Sequence, residues 1–556
     1  MISAWSLSRT LSASWARSSQ FLALFLSLTT IVNGTATVND WRAASIYQLI
    51  TDRFGRADNS TTAPCNVTEQ VYCGGTWQGV INHLDYIQGM GFTAIWISPI
   101  TSNINGSSTV GESYHGFWPN DINTLNSNFG TADDLKALST ELHSRGMLLM
   151  VDVVANNMAS AAPGATTDYT QFTPFDKEDY FHSFCWIDDY TLASDYQNCW
   201  LGSDDLALPD LDSENEFVIS TFQEWAVDVI ANYSIDGFRI DAAKHVPKAF
   251  WAAFQDKADV YTVGEWLTAD ASQACDYEVD ALVGVLNYPM WYSINATFTN
   301  SDNNLTIATS EFESLNTVCQ DTTLLGTFTE NQDQPRLGYY TQDNALLLNA
   351  LAWALLADGI PILYYGAEAK FDGLEDPLNR ESLWLTGYQT DTVLYTGLAA
   401  MNAARNAVAA NVDYSYWSAY WTWKSKIIYS PGNIVAVRKG YDQSIVAIVT
   451  NVGSDGATLG PYTIEDTNFA SGDVVVDTIS CTTQTAGDYG YIKVTVTEGM
   501  PQTWIKTALL TNSTICPDVD RQSTTTTTES SASSVVASSL YVLLISGLAY
   551  SLSILL

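Results

Sequence analysis

Short apolar segments alternate with longer helical patterns between about residues 40 and 410. Eight of these segments are near-continuous apolar runs, which is typical of parallel strands buried on both faces. The predicted strands are Ser45–Ile50, Phe92–Ile97, Met147–Val154, Gly237–Asp241, Val260–Gly264, Ala281–Val285, Leu324–Phe328 and Pro361–Tyr365. Between them, Ala132–Arg145 has the pattern of a helix, with Thr131 as its cap and Gly146 just past its end. Eight strand–helix units over residues 38–415 favour a (β/α)8 barrel, although a doubly wound open sheet shows the same alternation.

Two stretches depart from this repeating pattern. Nearly 60 residues, rich in Asp, Thr and Tyr, separate the third predicted strand from the next helix. Structureless loops of that length are uncommon in compact domains, so we expect a small inserted domain at 155–212. After about residue 415 the pattern changes to short alternating strands, such as Ile434–Arg438, Ser444–Thr450 and Ile492–Val496. This change predicts a separate antiparallel β-sandwich domain at 416–516.

Both ends of the sequence carry patterns typical of processing signals. Residues 1–34 include the apolar run Phe21–Val32, whose 12 residues are fewer than the roughly 20 that span a membrane. We predict a secretory signal peptide here, with a signal anchor as the alternative. At the other end, a Ser/Thr-rich stalk at 517–534 leads to the uncharged apolar tail Leu540–Leu556. This arrangement predicts a GPI-attachment signal at 535–556 and a location at the outer face of the plasma membrane or the cell wall. A tail-anchored helix is the alternative.

Composition narrows the class of ligand. The chain of 556 residues is 46% hydrophobic and 12% aromatic, and only 15% of it is charged. With 23 Lys and Arg against 61 Asp and Glu, the net charge of −38 repels phosphate backbones and argues against nucleic acid as a partner. Many aromatic rings and few charges favour a neutral sugar. Eight cysteines, an even number, predict four disulfides in an exported chain.

Acidic residues and one arginine follow the predicted barrel strands. In barrel enzymes the active site lies at the carboxyl ends of the strands, so these side chains are expected to converge on one rim. They are Asp152, Arg239, Asp241, Glu265 and Asp333. A glycosidase needs one carboxylate as nucleophile and a second, protonated one to release the leaving oxygen. Capping or salt bridging is the alternative for any one of these acids, but it explains the whole set poorly.

Four motifs among these residues carry a resemblance to a known family. Gly237–Val246 reads GFRIDAAKHV, Gly264–Trp266 reads GEW, Asp152–Asn156 reads DVVAN and Thr329–Arg336 reads TENQDQPR. These stretches resemble the signature regions of the α-amylase family of glycoside hydrolases, and residues 38–516 are similar to its fungal members in particular. The resemblance implies a barrel, an inserted domain after the third strand and a C-terminal β-domain, which agrees with the pattern of the chain.

The resemblance also implies a role for each matching residue. Asp241 is implied as the nucleophile, Glu265 as the general acid and Asp333 as the carboxylate that holds the distorted sugar ring. Two displacements at one carbon imply retention of configuration. Arg239, on the same strand face as Asp241, is expected to keep the nucleophile ionised. The surroundings of Glu265 are expected to raise the pKa of Glu265. The implied substrate contacts are Tyr114, His115, Lys244, His245, Asp376 and Arg380.

Calcium and a disulfide pattern follow from the same resemblance. Asn156 and Asp212 match the side-chain ligands of the family, and main-chain oxygens at Gln197 and His245 complete an oxygen shell suited to Ca²⁺. Capping of a helix or turn is the alternative role for the two side chains. The implied disulfides join the cysteines in sequential pairs, Cys65–Cys73, Cys185–Cys199, Cys275–Cys319 and Cys481–Cys516.

Two positions depart from the family pattern. Asn157 and Gln332 stand where the family has histidines that hydrogen-bond the sugar being cleaved. If each change loses one such bond, the cost is about 1–2 kcal/mol, which slows catalysis without abolishing it. These departures and the GPI-type tail resemble a cell-wall subgroup that includes 4-α-glucanotransferases.

We therefore predict a retaining α-1,4-glucan enzyme that transfers the cleaved chain to another glucan. Its substrate and acceptor are expected to be α-1,4-glucans or maltooligosaccharides. The predicted cofactor is Ca²⁺, the predicted membrane contact is a GPI lipid, and a monomer is expected. A conventional endo-acting α-amylase is the first alternative, and a catalytically silent glucan-binding wall protein is the second.

Overall fold

The computed structural model describes residues 36–411, 419–441, 443–511 and 513–521. The predicted signal peptide, the predicted GPI-attachment signal and most of the predicted stalk lie outside these residues. Within the described ranges, no helix is both long enough and apolar enough to cross a membrane.

Eight parallel strands form the central sheet. They are β1 (Ile46–Leu49), β2 (Ala94–Ile97), β3 (Leu148–Val153), β4 (Gly237–Ile240), β5 (Tyr261–Gly264), β6 (Gly284–Val285), β7 (Gly326–Phe328) and β8 (Ile360–Tyr364). Their order in the sheet is β6-β5-β4-β3-β2-β1-β8-β7. A parallel bridge between Leu286 and Gly326, just after β6 and at the start of β7, joins the two edges. The sheet is therefore a closed barrel, which confirms the predicted (β/α)8 fold and excludes the open sheet.

Helices surround the barrel. Those of the barrel region are Val38–Ala43, Thr51–Phe54, Trp77–Asn82, Leu84–Gly89, Ala132–Ser144, Glu216–Tyr233, Lys248–Ala258, Ala271–Cys275, Tyr288–Phe298, Thr306–Val318, Leu337–Tyr340, Asn344–Leu356 and Val393–Ala410. The predicted helix after Thr131 is confirmed: the Thr131 hydroxyl and the Asp134 carboxylate cap each other's backbone N–H groups. Gly146 follows the helix with a φ of +70°, a conformation that glycine adopts without strain.

The long segment after β3 folds against one side of the barrel mouth. It contains the short helix Ala193–Tyr196 and the hairpin Leu201–Gly202/Ala207–Leu208. Its aromatic side chains pack together, with Phe181 against Tyr169 and Phe172. A second hairpin, Thr101–Asn103/Pro119–Leu125, lies beside it and pairs with it through Asp121 and Thr173.

The C-terminal region is antiparallel, as predicted. Its strands are β9 (Lys426–Tyr429), β10 (Ile434–Lys439), β11 (Ile445–Thr450), β12 (Leu459–Ile464), β13 (Val474–Asp477), β14 (Thr483–Thr485), β15 (Ile492–Val496) and β16 (Gln502–Lys506). Six of them form one sheet, in the order β9-β10-β11-β16-β13-β14, and β12 pairs with β15. Ile434 and Val475 of the larger sheet share a buried core with Ile464 and Val494 of the smaller one, so the two sheets form a sandwich.

Polar side chains join this domain to the barrel, Asn349 among them. Asn349, in the fully buried helix Asn344–Leu356, donates to the Gly499 carbonyl at 2.7 Å and accepts from the Thr450 N–H at 2.7 Å. The helix is buried on all sides because the barrel covers one face and the sandwich covers the other.

All four disulfides have the predicted partners: Cys65–Cys73, Cys185–Cys199, Cys275–Cys319 and Cys481–Cys516. The second of them lies within the inserted segment, where we expected a covalent link.

Candidate active site

A fully buried arginine organises the acids at the carboxyl ends of the strands. Arg239 is the third residue of β4, and its Nη1 lies 2.7 Å from Asp152 Oδ1 and 2.7 Å from Asp241 Oδ1. Its Nη2 lies 2.8 Å from Glu265 Oε2. Asp152 belongs to β3, Asp241 directly follows β4 and Glu265 directly follows β5. Three adjacent parallel strands thus bring three carboxylates onto one guanidinium, as the sequence pattern predicted.

The aspartates Asp152, Asp241 and Asp333 hold protons more tightly than isolated carboxyls do, because their pKa values are raised. Burial raises the pKa of Asp152 to about 7 and that of Asp333 to about 6, and the charge of Glu265 acts in the same direction on both. Burial also raises the pKa of Asp241 well above its usual value. Arg239 lowers this pKa, and the charges of Glu265 and Asp152 raise it. Arg239 acts on Asp241 in the expected direction and lowers its pKa, but it serves three acids, and burial raises that pKa overall.

Glu265 is held by donors from three directions. Its Oε2 accepts from the Ala242 N–H at 3.0 Å as well as pairing with Arg239. Its Oε1 accepts from the Tyr288 hydroxyl at 3.2 Å, and that hydroxyl in turn accepts from Asn331 at 2.8 Å. Sequence reasoning missed Tyr288, although its position just past the sixth predicted strand was an available signal.

The acids open into a cavity of about 620 Å³. Its walls carry aromatic, apolar and polar side chains together, a mixture suited to a neutral sugar. The lining residues are His115, Phe117, Trp118, Asn157, Tyr190, Leu201, Leu208, Asp241, Ala242, Lys244, His245, Glu265, Leu267, Tyr292, Asp333, Asp376 and Arg380. Nine of the twelve residues predicted for catalysis or substrate binding line this cavity; Tyr114, Arg239 and Gln332 do not.

A larger cavity, of about 950 Å³, lies at the opposite end of the barrel. Thr93, Leu148 and Asp236, which precede or begin strands β2, β3 and β4, are among its lining residues. Its Asp236 is paired with His143 at 2.8 Å. The converging carboxylates are all at the other end, so the chemistry is located there.

The comparisons with known proteins agree with this geometry. The family model of the alpha amylase catalytic domain matches residues 48–413, and that of alpha-amylase domain C matches residues 427–524. "Alpha-amylase 1" of Schwanniomyces occidentalis is 45% identical over 483 residues, which are 87% of this chain and 93% of that protein. "Alpha-amylase" of Saccharomycopsis fibuligera is 42% identical over 476 residues, covering 86% and 94%. The solved structure of an alpha-amylase from Malbranchea cinnamomea has a TM-score of 0.83 and 43% identity, covering 86% of this chain and 100% of that one.

The chain belongs to the alpha-amylase family of glycoside hydrolases. Asn157 and Gln332, which stand where the family has histidines, differ in whether they line the cavity. Asn157 lines the cavity, and its Nδ2 donates to the Met158 carbonyl at 3.2 Å. Gln332 is only 2% exposed and does not line the cavity. Its Nε2 donates to Asp333 Oδ2 at 2.7 Å, so its amide contacts a cavity acid and not the cavity itself.

The neighbouring residues Tyr114 and His115 are both buried, and only His115 lines the cavity. Tyr114 is buried, and the Arg53 guanidinium covers one face of its ring at 3.8 Å, which leaves only the rest of the ring for a sugar. His115 reaches the cavity, and its Nδ1 accepts from the Phe117 N–H at 3.0 Å. Burial holds the pKa of His115 well below its usual value, so the ring is neutral with its proton on Nε2. That N–H is available to donate to a sugar hydroxyl.

Asp333 and Asp376 are connected by an arginine. Arg380 Nη2 lies 3.3 Å from Asp333 Oδ1, and its Nη1 lies 3.0 Å from Asp376 Oδ1. Its Nε donates to the Gln332 carbonyl at 3.1 Å. The predicted contacts Asp376 and Arg380 therefore lie next to the predicted third catalytic acid.

On another wall of the cavity, Lys244 and His245 are fixed by the inserted segment. Lys244 Nζ donates to the Tyr190 carbonyl at 2.8 Å, and His245 Nδ1 lies 2.8 Å from the Tyr196 carbonyl. Three apolar or aromatic side chains beside them are about half exposed: Tyr190 at 50%, Leu267 at 46% and Tyr292 at 41%. Sequence reasoning missed these three, because nothing in a sequence shows which side chains of loops and helices face a cavity.

Hydrogen bonds join the segments that carry the four predicted calcium ligands in two pairs. The Leu211 N–H, next to Asp212, donates to the Asn156 carbonyl at 2.8 Å. Gln197 Nε2 lies 3.3 Å from the Lys244 carbonyl, next to His245. Asn156 is buried, and its side-chain oxygen has no hydrogen-bond donor among the described residues. A buried oxygen without a donor is suited to bind a cation. These residues fit Ca²⁺, which prefers oxygen ligands.

Proposed function

We propose that Asp241, Glu265 and Asp333 cleave α-1,4-glucosidic bonds with retention of configuration. The observation that carries this proposal is the convergence of these three acids on one sugar-sized cavity, with Arg239 paired to two of them. Asp241 attacks the anomeric carbon while Glu265 donates its proton to the leaving oxygen, which gives a glycosyl-enzyme. Glu265, now ionised, takes a proton from the incoming hydroxyl that displaces Asp241.

The geometry of the acid group supports this division of roles. Asp241 must be ionised when Glu265 is protonated, and closely placed acids on one shared guanidinium favour a single proton held among them. Asp333 binds hydroxyls of the distorted ring, and Arg380 and Gln332 keep its two oxygens oriented. His115 donates its Nε2 proton to a hydroxyl of the same sugar.

For the fate of the glycosyl-enzyme we propose transfer to a second glucan. Bulk water is at about 55 M, so an acceptor must be bound in an oriented position to compete with it. Tyr190, Leu267 and Tyr292 give one wall of the cavity half-exposed apolar surface, and Lys244 adds a donor there. Aromatic and apolar faces of this kind bind the flat sides of glucose units. The relatives named alpha-amylase, at 42% and 45% identity, favour plain hydrolysis as the second candidate.

Product analysis with maltopentaose distinguishes the candidates. For a transferase, early products are longer than the substrate and few new reducing ends appear. Only shorter sugars, with reducing ends rising in step with bond cleavage, would identify a hydrolytic α-amylase. A Tyr292→Ala variant is expected to lower the ratio of transfer to hydrolysis several-fold, whereas Asp241→Asn abolishes both reactions. A folded wild-type protein that binds maltopentaose but changes nothing would favour the silent wall protein.

We further propose that Ca²⁺ is held by Asn156, Asp212 and the carbonyls of Gln197 and His245. Asp212 and Asn156 flank the inserted segment, while Gln197 lies inside it and His245 follows the nucleophile strand β4. A bound cation adds electrostatic attraction that holds the inserted segment against the barrel mouth. It thereby keeps Lys244, His245 and the cavity wall in place, and it takes no part in bond cleavage.

Attachment to the cell surface completes the proposal. The Ser/Thr-rich stretch and the uncharged tail Leu540–Leu556 support a GPI lipid, and the net charge of −38 supports an exposed, soluble catalytic portion that does not self-associate. We propose a monomer that acts on α-glucan at the outer face of the plasma membrane or in the wall.

A further inference from the structure

The first barrel strand carries a buried amide, Gln48, on its inward face. Gln48 and Ile46 point the same way on β1, and Ile46 packs in the barrel interior with Trp96 and Phe328. Gln48 is 4% exposed, and its Oε1 has no hydrogen-bond donor among the described residues. Burying an incompletely paired amide costs stability. An apolar side chain of similar size would serve the core better, so the amide calls for another explanation.

Within the part of the chain that the structure describes, the one side-chain hydrogen bond of Gln48 reaches the active site. Gln48 Nε2 lies 2.5 Å from Gln332 Oε1, and Gln332 Nε2 lies 2.7 Å from Asp333 Oδ2. Gln48 belongs to the first barrel strand, whereas Gln332 and Asp333 follow the seventh. The two amides thus connect the barrel interior to an acid at the mouth.

The direction of this chain of hydrogen bonds is set by Asp333. An ionised carboxylate only accepts, so Gln332 must present its NH₂ group to Asp333. The carbonyl end of the Gln332 amide then faces inward and needs a donor. Gln48 supplies that donor, because its own NH₂ group is the end that faces Gln332. If Gln48 could not donate, nothing at this contact would oppose rotation of the Gln332 amide, which would place an oxygen against the carboxylate.

We propose that Gln48 is a positioning residue for the third catalytic acid: by donating to Gln332 it fixes the amide that orients Asp333. The proposal rests on the proposed catalytic role of Asp333. Gln48 touches no substrate, since it does not line the cavity. It acts on the orientation of a carboxylate whose other oxygen is held by Arg380 at 3.3 Å. This arrangement also explains how Gln332, at a position where the family has histidine, acts on the site without lining the cavity: it orients Asp333.

The first experiment compares Gln48→Met, which keeps the side-chain volume and removes the donor, with Ile46→Val on the same strand face. We expect Gln48→Met to lower kcat on maltopentaose by about 5- to 10-fold, the loss that corresponds to one orienting hydrogen bond, with KM changed less than twofold. Its melting temperature should equal or exceed that of the wild type. Ile46→Val should lower the melting temperature slightly and leave kcat within twofold. A folded Gln48→Met protein with wild-type kcat would overturn the proposal.

The second experiment tests whether Gln48 acts through Gln332. We expect Gln332→Met to lower kcat by about 10- to 30-fold, and Gln48→Met to have less than a twofold further effect in that background. Independent, multiplicative losses would overturn the relay. Asp333→Asn is measured alongside. If it retains activity, the catalytic assignment itself fails; if it is inactive while Gln48→Met is fully active, only the positioning role fails.

Discussion

At the scale of one residue, Asp333 is a carboxylate whose ionised form is destabilised by its position in the site. Its side chain is 41% exposed, yet desolvation by the surrounding protein and the charge of Glu265 raise its pKa to about 6, although Arg380 and Gln332 donate to it. The ionised form that binds sugar hydroxyls is thus held where ionisation is disfavoured. Burial likewise raises the pKa of Asp152 to about 7. Such costs are common in active sites, where function and stability compete.

A pH dependence of stability follows from these values. Each raised pKa lies above that of the unfolded chain, near 3.8, so the folded state binds more protons between the two values. The stabilising effect is complete below about pH 4 and is lost as the pH rises through 6 to 7. With calcium held constant, we expect calorimetry to give a lower melting temperature at pH 8 than at pH 5.5.

Asp333→Asn is the matched variant, because a neutral amide mimics the protonated acid. It should reduce the fall in melting temperature between pH 5.5 and pH 8 by a small amount, since Asp333 is partly exposed and solvent screens its charge. A melting temperature that rises with pH, or a variant with a steeper fall than the wild type, would contradict this account.

At the scale of elements, the inserted segment was predicted from its length alone, and its attachment was not. Nearly 60 residues without a strand–helix pattern had to form a unit of their own. The contacts of Tyr190 and Tyr196 carbonyls with Lys244 and His245 depend on tertiary packing, which hydrophobic periodicity does not encode. The segment forms one wall of the cavity, so its stability and the activity should be linked.

Calcium removal tests that link. If Ca²⁺ is bound as proposed, chelation should lower the melting temperature by several degrees and reduce activity, because the oxygen of Asn156 and the carboxylate of Asp212 would lose the cation. Re-added Ca²⁺ should restore both properties. In the presence of calcium, Asn156→Ala should melt at a lower temperature than the wild type, and chelation should lower its melting temperature less. Chelation that removes the metal, as shown by elemental analysis, and leaves the melting curve unchanged would refute a structural calcium.

At the scale of the whole molecule, sequence patterns predicted the architecture better than the details of the site. The eight buried strands were visible as apolar runs, and the acids at their ends converge because parallel strands end at one rim. Closure of the barrel was not predictable from strand count, since it depends on the contact between Leu286 and Gly326. The role of Gln48 was also hidden, because a lone polar residue in SIYQLI does not reveal its partner 284 positions away.

Membrane attachment is the prediction that belongs to the full chain. The apolar tail Leu540–Leu556 has no charged residue, and the stretch before it consists mainly of Ser, Thr, Ala and Val, the arrangement of a GPI signal. Phosphatidylinositol-specific phospholipase should therefore release the enzyme from intact cells, with its glucan activity retained in the soluble fraction. A variant that ends at Thr524 should be secreted without treatment, because the matches to the catalytic domain and to domain C end at or before that residue. Enzyme that resists the phospholipase and still carries its apolar tail by mass spectrometry would establish a transmembrane anchor in place of the lipid.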